Sequence, residues 1–119
     1  MDATILVVDD DPTIRTLIKR VLTRAGYQVQ EAEDGISALN QIAVTRPALV
    51  LTDLMMPRMK GDALVVQVMQ DPNPIPCILM SAYHPSSLMA HVPFLSKPFA
   101  ITDLIHLVTK TLPPLSACT

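Results

Sequence analysis

"TILVVDDDPTIRTLIKRVLTRAG", residues Thr4 to Gly26, contains one complete strand-to-helix unit. After Thr4, the run Ile5-Leu6-Val7-Val8 is unbroken apolar sequence. A strand with one wet face alternates, whereas an unbroken run marks a strand covered on both faces, as in a parallel sheet. Asp11-Pro12 follows, with a short acceptor side chain suited to an N-cap and a proline suited to the first helical position. Ile14, Leu17, Ile18, Val21, Leu22 and Ala25 then keep helical spacing, and Gly26 stops the helix.

The unit recurs along the chain. Tyr27 to Ala32 alternates like a strand with one wet face, as expected at a sheet edge. Asp34-Gly35 turns into a second helix carrying Ile36, Leu39, Ile42 and Ala43, and Pro47 closes it. Ala48 to Thr52 reads as the third strand, and Gly61-Asp62 opens a third helix reaching Gln70. Asp71-Pro72-Asn73-Pro74 is a stiff connector, and Ile75 to Met80 reads as the fourth strand. The rhythm then weakens. Between Ser81 and Phe94 the pattern allows one weak helical stretch, Ser86 to His91, flanked by Pro85 and Pro93. Phe94 to Ser96 makes a short fifth strand. The last helix spans Ala100 to Thr111 with Ile101, Leu104, Ile105 and Val108 inward, and Pro113-Pro114 stops it. This alternation implies an α/β fold, a parallel sheet with right-handed crossovers and helices on both faces. Residues 1–112 form its single domain, and 113–119 a short tail.

The totals agree with one domain of 119 residues, half of them apolar, with no Trp, two Tyr and two Phe, so the core is aliphatic. A formal net charge of −2 offers no basic surface to nucleic acid or anionic membrane. Asp2 follows Met1 and the next apolar run is short, so no secretory leader is read, and no run approaches the ~18–20 residues of a membrane span. Cys77 and Cys118 lack metal-ligand spacing; Cys77, in an apolar run, reads as a small buried hydrophobe. A cytoplasmic protein with reduced thiols is expected.

In parallel sheets of this type, ligands sit outside the carboxyl ends of the strands. Asp9-Asp10 ends the first strand, Asp53 the third and Ser81 the fourth, while Lys97 follows the fifth. Taken singly, these are ordinary capping, turn or solvated surface residues. Together they bring three carboxylates, a hydroxyl and an ammonium to one edge. Clustered carboxylates repel one another unless a cation neutralises them, and hard oxygen donors suit Mg2+ or Mn2+. The chemistry indicated is phosphoryl transfer onto a carboxylate, with the metal and Lys97 offsetting charge.

"ILVVDDDPTIR", "LVLTDLMMPRMKG", "ILMSA" and "FLSKPF" resemble the response-regulator receiver domains of two-component signalling, in the right order and over nearly the whole chain. The resemblance implies a doubly wound, flavodoxin-like sheet of five strands in the order 2-1-3-4-5. It implies that Asp53 accepts phosphate from the phosphohistidine of a sensor histidine kinase or a phosphotransfer protein. Asp10 matches the direct metal ligand, Asp9 its acidic neighbour, and Met55 the residue whose backbone carbonyl completes the site. Ser81 matches the switch hydroxyl, Lys97 the lysine that pairs with the phosphoryl group, and Phe94 the aromatic switch. The Lys97-Pro98 peptide is expected in cis. Pro57 and Gly61 fix the backbone around Asp53, and Met55, Met56 and Met59 give the loop adaptable apolar contacts. The implied protein is a phosphoacceptor rather than a turnover enzyme. It signals by a population shift to a downstream protein, a fused output domain or a dimer mate.

Two departures stand out. Lys60 replaces the usual acid before the loop glycine. Lys97 lies sixteen positions after Ser81, roughly six fewer than is usual in the family, a difference of more than one helical turn. The helix between the fourth and fifth strands, the family's fourth, should therefore be short or irregular, and the output surface altered. Met55 and Tyr83, two residues after acceptor and switch hydroxyl, are large and non-acidic, which suggests slow hydrolysis of the acyl phosphate. The alternatives are a degenerate receiver acting as an interaction module, or an aspartyl phosphohydrolase of the haloacid-dehalogenase type. The latter carries a second acid where this chain has Met55. His84, His91 and His106 have no acidic or Cys companions.

Overall fold

The computed structural model describes residues 3–56, 58–82 and 89–112. The element order is β1 (Thr4–Val8), α1 (Pro12–Arg24), β2 (Gln28–Ala32), α2 (Gly35–Thr45), β3 (Leu49–Asp53), α3 (Gly61–Met69), β4 (Cys77–Ser81), β5 (Phe94–Ser96) and α4 (Ile101–Thr111). The five strands form one sheet in the order β2-β1-β3-β4-β5. Every pairing is parallel, with Val8 opposite Thr52, Asp53 opposite Met80, and Ser81 opposite Ser96.

The unbroken apolar runs are buried on both faces, as read from the sequence. Alternate residues of β1, β3 and β4 feed two cores, one on each side of the sheet. Leu6, Val8, Val50, Cys77 and Leu79 pack with Ala38 of α2 and Leu64, Val65 and Val68 of α3. Ile5, Val7, Leu49, Leu51, Ile78 and Met80 pack with Ile18 and Leu22 of α1 and Leu104 and Val108 of α4. Each buried Leu, Ile, Val or Met side chain here contributes about 1.5–3 kcal/mol on burial, before conformational entropy is subtracted. Burial pushes the Cys77 thiol up to about 12.

The local signals act as expected. Asp11 accepts the Thr13 amide at 2.9 Å ahead of Pro12, and Asp34 accepts the Ser37 amide at 2.8 Å. Boundaries shift by a residue or two. β3 reaches Asp53, and β4 starts at Cys77 rather than Ile75, because Pro76 has no amide to give the ladder. Some predicted inward positions are exposed: Leu17, Ile36 and Ile101 are each close to half accessible. Ile36 and Ile101 stand in the first turns of their helices, and in α2 the buried residues are Gly35 and Ala38. β2 does not alternate cleanly, since Gln30 and Glu31 are half-covered by Thr45, Gln41, Arg15 and Lys19.

Between β4 and β5, residues 89–91 form a tight turn in which the Val92 amide donates to the Met89 carbonyl at 2.9 Å. Met89 and Val92 are buried against the α3 side of the sheet. The expected helix Ser86 to His91 falls largely outside the described residues, as do Pro57, Tyr83, His84, Pro85, the Pro113-Pro114 stop, the tail and Cys118. Among the described residues, no helix is long and apolar enough to cross a membrane.

Candidate functional site: an acidic cluster at the strand ends

Because the strands are parallel, their C-termini share one edge. β1 gives way there to Asp9 and Asp10, β3 ends on Asp53 and β4 on Ser81, while Lys97 directly follows β5. Carboxylate oxygens of Asp9, Asp10 and Asp53 all lie within 4.8 Å of one another. Asp9 is fully buried and Asp53 nearly so, while Asp10 is open to solvent.

Asp9 is held at each of its polar groups. Its amide donates to the Ala32 carbonyl at 3.1 Å, and its carbonyl accepts Arg15 Nη1 at 2.7 Å. Its carboxylate accepts the Asp11 amide at 2.9 Å and Lys97 Nζ at 3.0 Å. Lys97 Nζ also stands 3.5 Å from Asp53 Oδ2. One ammonium thus serves two buried carboxylates. Burial first, and then the charge of Asp9, push the Asp53 carboxyl above its ordinary value, against the opposing pull of Lys97 and the Met55 amide. An under-neutralised cluster of hard oxygen donors is the environment a divalent cation of the Mg2+ or Mn2+ type stabilises. The donor set therefore fits that ion.

The backbone around Asp53 is constrained on both sides. The Leu54 amide donates to the Met80 carbonyl at 2.8 Å, and the Gly61 amide returns to the Leu54 carbonyl at 2.9 Å. A Cβ on Gly61 would meet the Asp53 carbonyl oxygen at 2.1 Å, so α3 can begin this close to β3 only with glycine there. The Thr52 hydroxyl, fully buried, donates to the same Asp53 carbonyl at 2.9 Å. Met55 is about half exposed at the mouth, and Met56 packs into the core.

Ser81 is buried at the end of β4, and its carbonyl accepts the Lys97 amide at 2.9 Å, tying the two positions together. Phe94 pairs with Leu79, two residues before Ser81, and packs on the core of that face. The Lys97-Pro98 peptide is cis. His91 and His106 are exposed surface residues.

The sequence-predicted residues thus converge, but Arg15, Thr52, Asp34 and Arg58 escaped the reading as parts of the site. The Asp34 carboxylate, buried at the start of α2, takes the guanidinium of Arg58 from the loop after Asp53. No spacing rule announces such a contact between elements.

Comparison with known proteins places these features in a family. The family model described as "Response regulator receiver domain" matches residues 5–109. Among curated proteins, the response regulator MprA of a Mycobacterium species (strain KMS) is 37% identical over 111 residues, covering 88% of this chain and 48% of that protein. The chain therefore spans about half the length of the curated relatives it matches. Among solved structures, a putative response regulator from Chloroflexus aurantiacus superposes with a TM-score of 0.86 at 31% identity, covering 93% of this chain and 98% of that one. The chemotaxis response regulator CheY4 of Vibrio cholerae gives 0.86 at 27% identity, covering 94% and 100%. A signal receiver domain of a histidine kinase from Syntrophus aciditrophicus gives 0.85 at 31% identity, covering 92% and 89%.

Proposed function

The chain belongs to the response-regulator receiver family, and we propose that it accepts a phosphoryl group on Asp53 from the phosphohistidine of a sensor kinase or phosphotransfer protein. A carboxylate oxygen of Asp53 attacks phosphorus while the bond from phosphorus to the donor imidazole breaks, and the imidazole leaves and takes up a proton. The observation that supports this most is the shared Lys97 ammonium, 3.0 Å from Asp9 and 3.5 Å from Asp53, inside a cluster of three carboxylates.

Asp9, Asp10, Asp53 and the Met55 carbonyl would hold Mg2+ or Mn2+. When bound, that ion supplies charge neutralisation for the phosphoryl oxygens. Lys97 follows one phosphoryl oxygen as its charge develops, exchanging part of its contact with Asp53 for the new group. The Ser81 hydroxyl donates to another oxygen, and Phe94, on the same sheet face two positions back along the ladder, follows it inward. Phosphorylation thereby shifts the population toward a state that a partner reads. The partner is a downstream protein, an output domain in the same polypeptide, or a second copy of the chain, in the cytoplasm. With a net charge of −2 this domain does not itself hold nucleic acid.

The test is incubation with a small acyl or amido phosphate and Mg2+, followed by intact mass. Wild-type protein should gain one phosphoryl group and Asp53→Asn none. A wild type that gains nothing, with the metal present, would favour the interaction-module reading.

A further inference from the structure

The loop from Leu54 to Gly61 is pinned at both ends. Its neck is the Gly61 amide bonded to the Leu54 carbonyl, directly after Asp53. Its crown is Arg58 and Met59, and both residues rest on the start of α2. The Arg58 guanidinium pairs with the Asp34 carboxylate, and Met59 lies so close to Gly35 that a Cβ there would meet three of its side-chain atoms at 2.8 Å. Arg58 adopts φ +67° to make this approach, a left-handed conformation that non-glycine residues rarely take.

We propose that Asp34 and Arg58 form a latch that positions the acceptor loop, holding Met55 in register with the carboxylates of Asp9, Asp10 and Asp53. The proposal rests on the reading of Asp53 as the phosphoacceptor. Asp34 and Arg58 are positioning residues, since neither reaches the reacting atoms. A surface ion pair alone would contribute little. Here the carboxylate half is buried, with about 2% of its side chain accessible, and its other oxygen already caps α2 through the Ser37 amide at 2.8 Å. Withdrawing Arg58 would leave that buried charge with the helix amides alone. The strained φ of Arg58 is sustained by this contact and by the Met59 packing beside it. The pair therefore ties two loops of the sheet edge together, and the loop whose carbonyl is needed for the metal is the one held.

Three variants separate positioning from plain stability. Arg58→Gly removes the guanidinium while suiting φ +67°. Asp34→Asn keeps an N-cap acceptor but removes the charge. Arg46→Gly is the control, because Arg46 is, among the described residues, the other non-glycine residue at positive φ, 42°, in an ion pair with Asp71 that lies away from the strand-end cluster. The measurements are Mg2+ affinity by titration and hydrogen exchange at the Met55, Met56, Met59 and Lys60 amides. Each latch variant should bind Mg2+ about tenfold more weakly, as when partners behind a metal's ligands are lost, and exchange faster at those amides. The double variant should be no weaker than either single one, and Arg46→Gly should match wild type. Wild-type protein that binds Mg2+ with latch variants that bind it equally would overturn the latch alone. Wild-type protein that binds no Mg2+ would overturn the site reading and the latch with it.

Discussion

Replacing Gly61 by alanine probes the close approach of α3 to the backbone of Asp53. The new Cβ would stand 2.1 Å from the Asp53 carbonyl oxygen and 2.9 Å from the Leu54 Cα. Ordinary contact begins at 3.4 Å, so about 1.3 Å must be found, and the obstructing atoms are backbone. Either α3 withdraws from β3 or the Asp53 peptide rotates, and both break the 2.9 Å bond from the Gly61 amide to the Leu54 carbonyl. Overpacking of this kind costs about 1–3 kcal/mol, and a buried amide left unpaired costs about 1–3 kcal/mol more. The better helix propensity of alanine returns at most about 1 kcal/mol. A net loss of about 1–5 kcal/mol follows, and the midpoint of thermal unfolding should fall by roughly 4–20 °C for a domain of this size. Urea unfolding followed by circular dichroism measures the loss directly. Gly26→Ala is the comparison, since its φ of +102° carries strain but no atom lies within 4 Å. It should lose only about 1–2 kcal/mol. If Gly61→Ala proves as stable as wild type, β3 and α3 do not approach as described, and the constraint on Asp53 fails with them.

Saturating Mg2+ at about a hundred times its dissociation constant should stabilise the fold by about 2.7 kcal/mol; thermal unfolding with and without the ion should show this gain, and Asp9→Asn should abolish most of it. Asp53 has its carboxyl raised above 3.8 by burial and by Asp9, so its ionised form weighs against the folded state. Without divalent ions, Asp53→Asn should therefore unfold at higher temperature than wild type at neutral pH. The gap should close as pH falls through the raised value toward 3.8, because wild-type Asp53 then takes up its proton preferentially in the folded state. Met55 stands about half exposed at the mouth of the site, so Met55→Asn should speed loss of the acyl phosphate in a dephosphorylation time course; unchanged or slower loss would remove the shielding role.

The fold was readable because β1, β3 and β4 are unbroken apolar runs, and β1, β2 and β3 are each followed by a capped or glycine-opened helix; that pattern has few other folded solutions. The carboxylate cluster was readable for a related reason. In a parallel sheet every strand end faces the same way, so Asp9, Asp10, Asp53 and Ser81 converge without any knowledge of packing. What escaped depends on approach between elements. Arg15 reaches back to the Asp9 carbonyl, Thr52 turns its hydroxyl to the Asp53 carbonyl, and Arg58 finds Asp34 across 24 residues of sequence. Helical spacing also overstated burial at Leu17, Ile36 and Ile101, and missed that the small Ala38 lets α2 settle against the sheet.

Asp53, rather than a neighbouring acid or a histidine, should carry the phosphoryl group, and the modified residue can be identified chemically. Borohydride reduction of the phosphorylated protein converts an aspartyl phosphate to homoserine, and peptide mass mapping then locates it. Homoserine is expected at position 53, formed only when Mg2+ or Mn2+ and phosphodonor are both present. Homoserine at position 9 or 10, or a stable phosphohistidine at His84, His91 or His106 with Asp53 unmodified, would contradict it.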